Sequence, residues 1–221
     1  MSEFFTYSAI HEKHFIEHGE RLDVKKGHPI VWDNTKVPWV FFLQKGRMKL
    51  ALPTVSGPSS ILGYMIPGMT FAQPGAYFEP ISEGVIYEAV MPSTLYRIEI
   101  ETFYTELDHN HELAKEWLWG VLKNQKAMVE RIAYQGERGI RARVIRWLLF
   151  MAKYYGDTKG NSCEIYIPLT QEVIGQFVNA TRESINKTLS EIIKSGLITI
   201  EKKQITIVDI EKLKKTLLTL D

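Results

Sequence analysis

Arg182, Glu183, Asn186 and Lys187 are side chains of the types that read base pairs, and they lie close together in the chain. A guanidinium pairs bidentately with N7 and O6 of guanine, a carboxylate accepts from the cytosine amino group, and a carboxamide can read adenine. An ammonium one turn later reaches either guanine or a phosphate. Ile185, Leu189 and Ile192 recur at helical intervals and claim the inward face. The polar residues then look outward near the helix N-terminus, where a recognition helix meets base edges in the major groove. A carboxylate is repelled by phosphate, so beside DNA the value of Glu183 lies in reading a base.

The elements that must hold this face can be read around it. Thr181 precedes the helix as an N-cap, and Thr170 caps an earlier short helix over residues 171–177. Between them Val178-Asn179-Ala180 is a tight turn, in which Asn179 can take the left-handed conformation. Residues 197–208 alternate, and Glu201-Lys202-Lys203-Gln204 reads as the tip of a β-hairpin wing, with Lys202 and Lys203 as phosphate contacts. Asp209 caps a last helix through Leu220. Upstream, residues 141–155 read as a helix, 156–162 as a loop and 165–168 as a short strand. The sum is a winged helix-turn-helix.

Charge agrees with this placement. The net charge is only +1, yet residues 138–221 hold 14 Lys and Arg against 9 Asp and Glu, while residues 1–137 hold 13 against 17. A basic C-terminal third on an acidic body points to a polyanion partner for that third.

The first half of the chain reads differently. Residues 21–100 are short strands punctuated by Gly and Pro roughly every ten residues, the spacing of an antiparallel roll or sandwich. Residues 40–43 and 48–52 flank Gln44-Lys45-Gly46-Arg47 as a hairpin-like turn. From Glu101 the period changes: residues 101–135 hold no Pro and a single Gly, Gly120, which predicts one long helix. Leu118, Leu122, Gln125, Val129 and Ile132 step along it as an a/d-like seam, with Trp117, Val121 and Met128 as a second apolar stripe. Two stripes need two covering surfaces. The roll and the same helix of a second subunit would supply them, which makes a homodimer the expectation; the alternative is a single wide face in the core of a monomer.

These motifs resemble the cyclic-AMP receptor protein and fumarate-nitrate-reduction regulator (Crp/Fnr) superfamily over nearly the whole chain. Leu169-Thr170-Gln171-Glu172-Val173-Ile174-Gly175, followed by Thr181-Arg182-Glu183-Ser184-Ile185, is similar to its Leu-Thr-x-x-x-Ile-Gly and Ser-Arg-Glu-Thr-Val signature. Phe42-Leu43-Gln44-Lys45-Gly46-Arg47-Met48-Lys49-Leu50 resembles its roll hairpin, and Gly68-Met69-Thr70-Phe71 its next turn. Ile86-Tyr87-Glu88-Ala89-Val90-Met91-Pro92 and Ala142-Arg143-Val144-Ile145-Arg146 loosely resemble its halorespiration regulators, which sense chlorinated aromatic acids.

The resemblance implies an α+β protein: an N-terminal antiparallel β-roll of the cyclic-nucleotide-binding-like, jelly-roll type, a long dimerisation helix, and a C-terminal winged helix-turn-helix. It implies an effector-sensing domain over residues 1–107, the helix over 108–137 and the DNA-binding domain over 138–221. It also implies a palindromic double-stranded DNA site, a small-molecule effector and RNA polymerase as partners. The family's effector pocket lies where roll and long helix join, and the candidates there are Tyr64, Tyr77, Tyr87, Lys123, Lys126 and Tyr134. Aromatic walls with a lysine suit an aromatic acid. The family's cyclic-AMP binders carry Gly-Glu and Arg-Ser where this chain reads Ala72-Gln73 and Glu83-Gly84. A carboxylate where the cyclic phosphate would sit is electrostatically wrong, so cyclic AMP is not the expected effector. The family's oxygen sensors need an N-terminal cysteine cluster, and the one cysteine here is Cys163.

No motif asks for a cofactor, a metal or a catalytic residue: no P-loop, dinucleotide fingerprint, nucleophile elbow or paired-carboxylate motif appears. His11, His14 and His18 fall at helical spacing and read as solvated histidines. His109-Asn110-His111-Glu112 superficially matches the His-x-His of cupin barrels, but falls in the long-helix segment. The rival reading is therefore a cupin-like metalloenzyme or ligand-binding protein with a C-terminal association domain. The lone cysteine, and the absence of an apolar leader or spanning segment, favour the cytoplasm and no membrane partner.

Overall fold

Alternation of side chains along short strands organises the first half of the protein, and helical periodicity the second. The computed structural model describes residues 9–31, 39–54, 57–72, 85–167 and 169–220; Gln73, Tyr77, Glu83 and Gly84 lie outside the described residues. The chain divides into two units, and the division falls between Leu122 and Lys123.

The first unit holds α1 (Ala9–His18), β1 (Glu20–Val24), β2 (Pro29–Val31), β3 (Trp39–Lys45), β4 (Met48–Thr54), β5 (Gly57–Met65), β6 (Thr70–Ala72), β7 (Ile86–Ala89), β8 (Ser93–Glu99) and α2 (Ile100–His109). The strands form two antiparallel four-stranded sheets, ordered β1-β8-β3-β6 and β2-β7-β4-β5. In β3, Val40 and Phe42 join a buried cluster with Phe15 of α1, Ile98 of β8 and Phe103 of α2. Phe41, of opposite parity, stacks on Phe71 of β6 at 5.3 Å, and Phe71 stacks on Tyr87 of the other sheet at 4.5 Å. One period-2 strand thus feeds both the helical cap and the roll interior. Such aromatic pairs add about 0.5–1.5 kcal/mol each beyond their burial.

Three sequence expectations are corrected in this unit. The Gln44–Arg47 turn does not close a hairpin: β3 pairs with β6 and β8, and β4 with β5 and β7. It is a corner that hands the chain from one sheet to the other. Gly46 makes it with φ 93°, where a Cβ would meet the Pro92 carbonyl oxygen at 2.6 Å. The single helix expected from Glu101 is two, because Asn110 is extended and separates α2 from α3 (His111–Gln135). The Asn110 side chain accepts from the Leu113 amide at 3.1 Å and so caps α3. His11 is not solvated. It is 3% exposed, its Nε2 lies 3.4 Å from the Leu113 carbonyl oxygen, and burial pushes its pKa down. His14 is half-buried and pairs with Glu106 at 2.7 Å, while His18 is exposed.

The second unit holds the end of α3, α4 (Ile140–Tyr155), β9 (Gly156–Lys159), β10 (Ser162–Ile165), α5 (Gln171–Val178), α6 (Arg182–Lys194), β11 (Ile198–Glu201), β12 (Gln204–Ile207) and α7 (Ile210–Leu218). The residues read as a loop after α4 are a strand: β9 pairs with β10 from Gly156 opposite Ile165 to Lys159 opposite Ser162. The sheet runs β11-β12-β10-β9. Cys163 is buried on β10, and burial pushes its thiol pKa up. Among the described residues, no helix is long and apolar enough to cross a membrane.

Candidate DNA interface

The platform for the interface is α4. Val144, Ile145, Trp147, Leu148 and Met151 are fully buried along it. Trp147 lies 6.1 Å, ring to ring, from Phe177 of α5. On that platform sit two capped helices. Thr170 accepts from the Val173 amide at 3.2 Å to start α5, and Thr181 accepts from the Ser184 amide at 3.2 Å to start α6. Each cap stabilises its helix by about 1 kcal/mol. Between the helices Asn179 is left-handed at φ 52° and ψ 60°, as its residue type allows. The Ala180 amide donates back to the Gly175 carbonyl at 3.0 Å. A Cβ on Gly175 would stand 2.6 Å from the Ala180 oxygen, so the close approach of turn to helix requires glycine there.

These contacts fix the roll of α6 about its axis. Ile185, Thr188, Leu189 and Ile192 are buried, and Arg182, Glu183, Asn186 and Lys187 are all exposed. The positions separate into two rows. Arg182, Asn186 and Ser190 line a groove of about 520 Å3 shared with Gln171 of α5 and Lys203 of the wing, floored by Leu189 and Ile200. Glu183 and Lys187 do not line it. Sequence reasoning missed Gln171 and Ser190. The signal for both was their position, directly after the Thr170 cap and one turn after Asn186.

The wing is a two-residue hairpin. Glu201 pairs with Gln204, and Lys202 and Lys203 form the tip at φ 48° and 69°. Positive φ at both central residues matches the twist of the strands they join. The Lys203 carbonyl accepts from the Leu169 amide at 3.0 Å, which ties the tip to the approach of α5. Both lysines are exposed.

The proposed seam on α3 is open. Leu118, Leu122, Val129 and Ile132 are 57%, 43%, 60% and 69% exposed, and Val121 and Met128 beside them are also exposed. Gln125 is exposed on the same helix. Of the effector candidates, Tyr64 and Tyr87 are buried on β5 and β7 of the roll, and burial pushes the Tyr87 pKa up. Lys123, Lys126 and Tyr134 belong to the second unit. There Tyr134 is buried with its ring 5.5 Å from that of Phe150 of α4. His109 ends α2 and His111 begins α3, on either side of the Asn110 break. Among the described residues, no group of three or more His, Cys, Asp or Glu is placed to hold a metal ion.

An antiparallel roll, a long helix and a winged helix-turn-helix with an outward polar face define a transcription regulator of the winged-helix class. Comparison with known proteins agrees. Residues 142–216 match the Crp-like helix-turn-helix domain. The transcriptional regulator LdrP of Thermus thermophilus is 30% identical over 189 residues, spanning 80% of this chain and 86% of its own. The CRP-like cAMP-activated global transcriptional regulator of Mycobacterium tuberculosis is 22% identical over 192 residues, 87% of this chain and 85% of its own. Among solved structures, a CooA mutant from Carboxydothermus hydrogenoformans superposes with a TM-score of 0.76 at 17% identity, covering 93% of this chain and 90% of the other. CprK complexed with OCPA gives 0.72 at 16% identity, covering 93% and 94%. The structural likenesses carry the fold. The chain belongs to the Crp/Fnr family of transcription regulators.

Proposed function

We propose that the protein binds a palindromic DNA site as a homodimer through α6 and the wing, and that a small molecule other than cyclic AMP gates this binding in the cytoplasm. The observation that carries the reading is the exposed row at the start of α6, where Arg182, Glu183, Asn186 and Lys187 stand clear of a fully packed inner face. A cupin-like metalloenzyme has no use for such a face. Selection of binding sites from random duplexes tests it. The wild type enriches a palindrome with half-sites about one helical turn apart. Glu183→Ala loses discrimination at one base pair per half-site, on the order of 1–3 kcal/mol. Lys203→Ala instead weakens binding to all sequences and lowers the salt slope by about one unit per contact. Identical motifs of equal stringency for wild type and Glu183→Ala would remove α6 as the reader.

The effector reading rests on the roll. Tyr64 and Tyr87 supply buried aromatic surface on one sheet, and with Tyr77 they are the roll residues we assign to an aromatic acid. Glu83 and Gln73 stand at the phosphate and ribose positions of the family's nucleotide binders. Calorimetry with micromolar cyclic AMP should therefore give no saturable heat, and a saturable isotherm would refute the assignment. RNA polymerase is the protein partner that such a regulator addresses once it is seated on a promoter.

A further inference from the structure

Gln171, the first residue of α5, and Asn186, one turn into α6, meet through their carboxamides. Gln171 Nε2 donates to Asn186 Oδ1 at 3.0 Å. Both ends of this contact are held. The Thr170 cap fixes the start of α5, the Thr181 cap fixes the start of α6, and the Gly175–Ala180 hydrogen bond fixes the turn between them. The Asn186 backbone carbonyl accepts from the Ser190 hydroxyl at 2.8 Å, so the backbone beneath the side chain is also engaged. The pair lines the groove between α6 and the wing, on the same row as Arg182.

An asparagine reads adenine with both ends of its carboxamide: the oxygen accepts from N6 and the nitrogen donates to N7. In this protein the oxygen is turned toward α5 by the hydrogen bond from Gln171, and one of its two lone pairs is occupied. The nitrogen, on the other side of the Cβ–Cγ axis, keeps both of its hydrogens for an external acceptor. Guanine offers two adjacent acceptors in the major groove, N7 and O6. We infer that Gln171 is a specificity-determining positioning residue, which holds Asn186 as a donor and makes its base preference guanine rather than adenine. This rests on the reading of α6 as the recognition helix and adds to it a residue outside that helix.

The test is binding-site selection from randomised duplexes with the wild type, Gln171→Ala, Gln171→Met, Asn186→Ala and Glu183→Ala. Thermal melting first establishes that each variant is folded. Methionine keeps the length of the side chain and removes its donor. The wild type should enrich guanine at one column per half-site, and Asn186→Ala should flatten that column alone. Both Gln171 variants should move it toward adenine, changing the guanine-to-adenine ratio by a factor of about five or more. The column governed by Glu183 should stay as it was. A wild-type adenine at the Asn186 column overturns the inference, as do Gln171 variants that keep the wild-type column. Asn186→Ala with every column intact also overturns it, while a column lost in Glu183→Ala would still leave α6 as the reader. If the wild type enriches no motif, the DNA reading itself fails.

Discussion

Leu122→Glu combined with Val129→Glu should convert the protein to a monomer in light scattering and abolish tight binding to a palindromic site. The two positions lie on the exposed apolar stripe of α3, between Leu118 and Ile132. Their steps of three and four are those of a helix seam that meets its own copy. Fully burying each such side chain stabilises an interface by roughly 1.5–3 kcal/mol. A carboxylate in the same place adds a desolvation cost of several kcal/mol, and two-fold symmetry doubles it. DNA binding follows because the second half-site is engaged at the effective concentration that the dimer imposes. Losing it should cost on the order of 100–10,000-fold in avidity. Single half-site binding should survive at the monomer's own affinity. An unchanged mass for the double variant would refute the seam.

Trp147→Ala should have the largest effect on stability, about 3–5 kcal/mol in denaturant unfolding. The indole is fully buried in the middle of α4 and faces Phe177, so its loss leaves a cavity beneath α5. The short helices α5 and α6 depend on this platform, since helices of 8 and 13 residues are marginal alone. Site-specific DNA binding should fall with stability, although no group facing the DNA has changed. A loss below about 1 kcal/mol would mean that the site collapses around the smaller side chain, and would remove Trp147 as the centre of the platform.

The DNA-binding half was legible because its signals are local. Thr170 and Thr181 are caps before apolar periodicity, Asn179 marks the left-handed turn, and alternation ends at two lysines. Each is decided within a few residues, and the structure places each in the expected conformation. The roll was legible as a class and not as a topology. That Gly46 turns a corner and does not close a hairpin depends on Ser93 and Pro92 packing against it, nearly fifty residues away. The break at Asn110 did have a local sign, an asparagine three residues before Leu113, but the unbroken helical composition on both sides masked it. The Gly156–Lys159 segment is polar and glycine-bounded, the composition of a loop, and it became a strand only because β10 offered an edge. His11 looked solvated because a lone polar residue carries no sequence sign of the Trp117 ring set against it, 6.3 Å away. Within the interface, residue types suggested what each side chain could read. The Gln171 contact that orients Asn186 joins two helices and was visible only once they were placed.

The two wing-tip lysines occupy a conformation that suits asparagine and glycine. A left-handed backbone at an ordinary residue costs roughly 1–2 kcal/mol, and this tip bears it twice. A hairpin shaped only by its own folding would carry Asn-Gly at these positions. The two exposed lysines are presented there against the preference of the backbone. The wing tip is therefore a turn that the sequence leaves less stable than it could be.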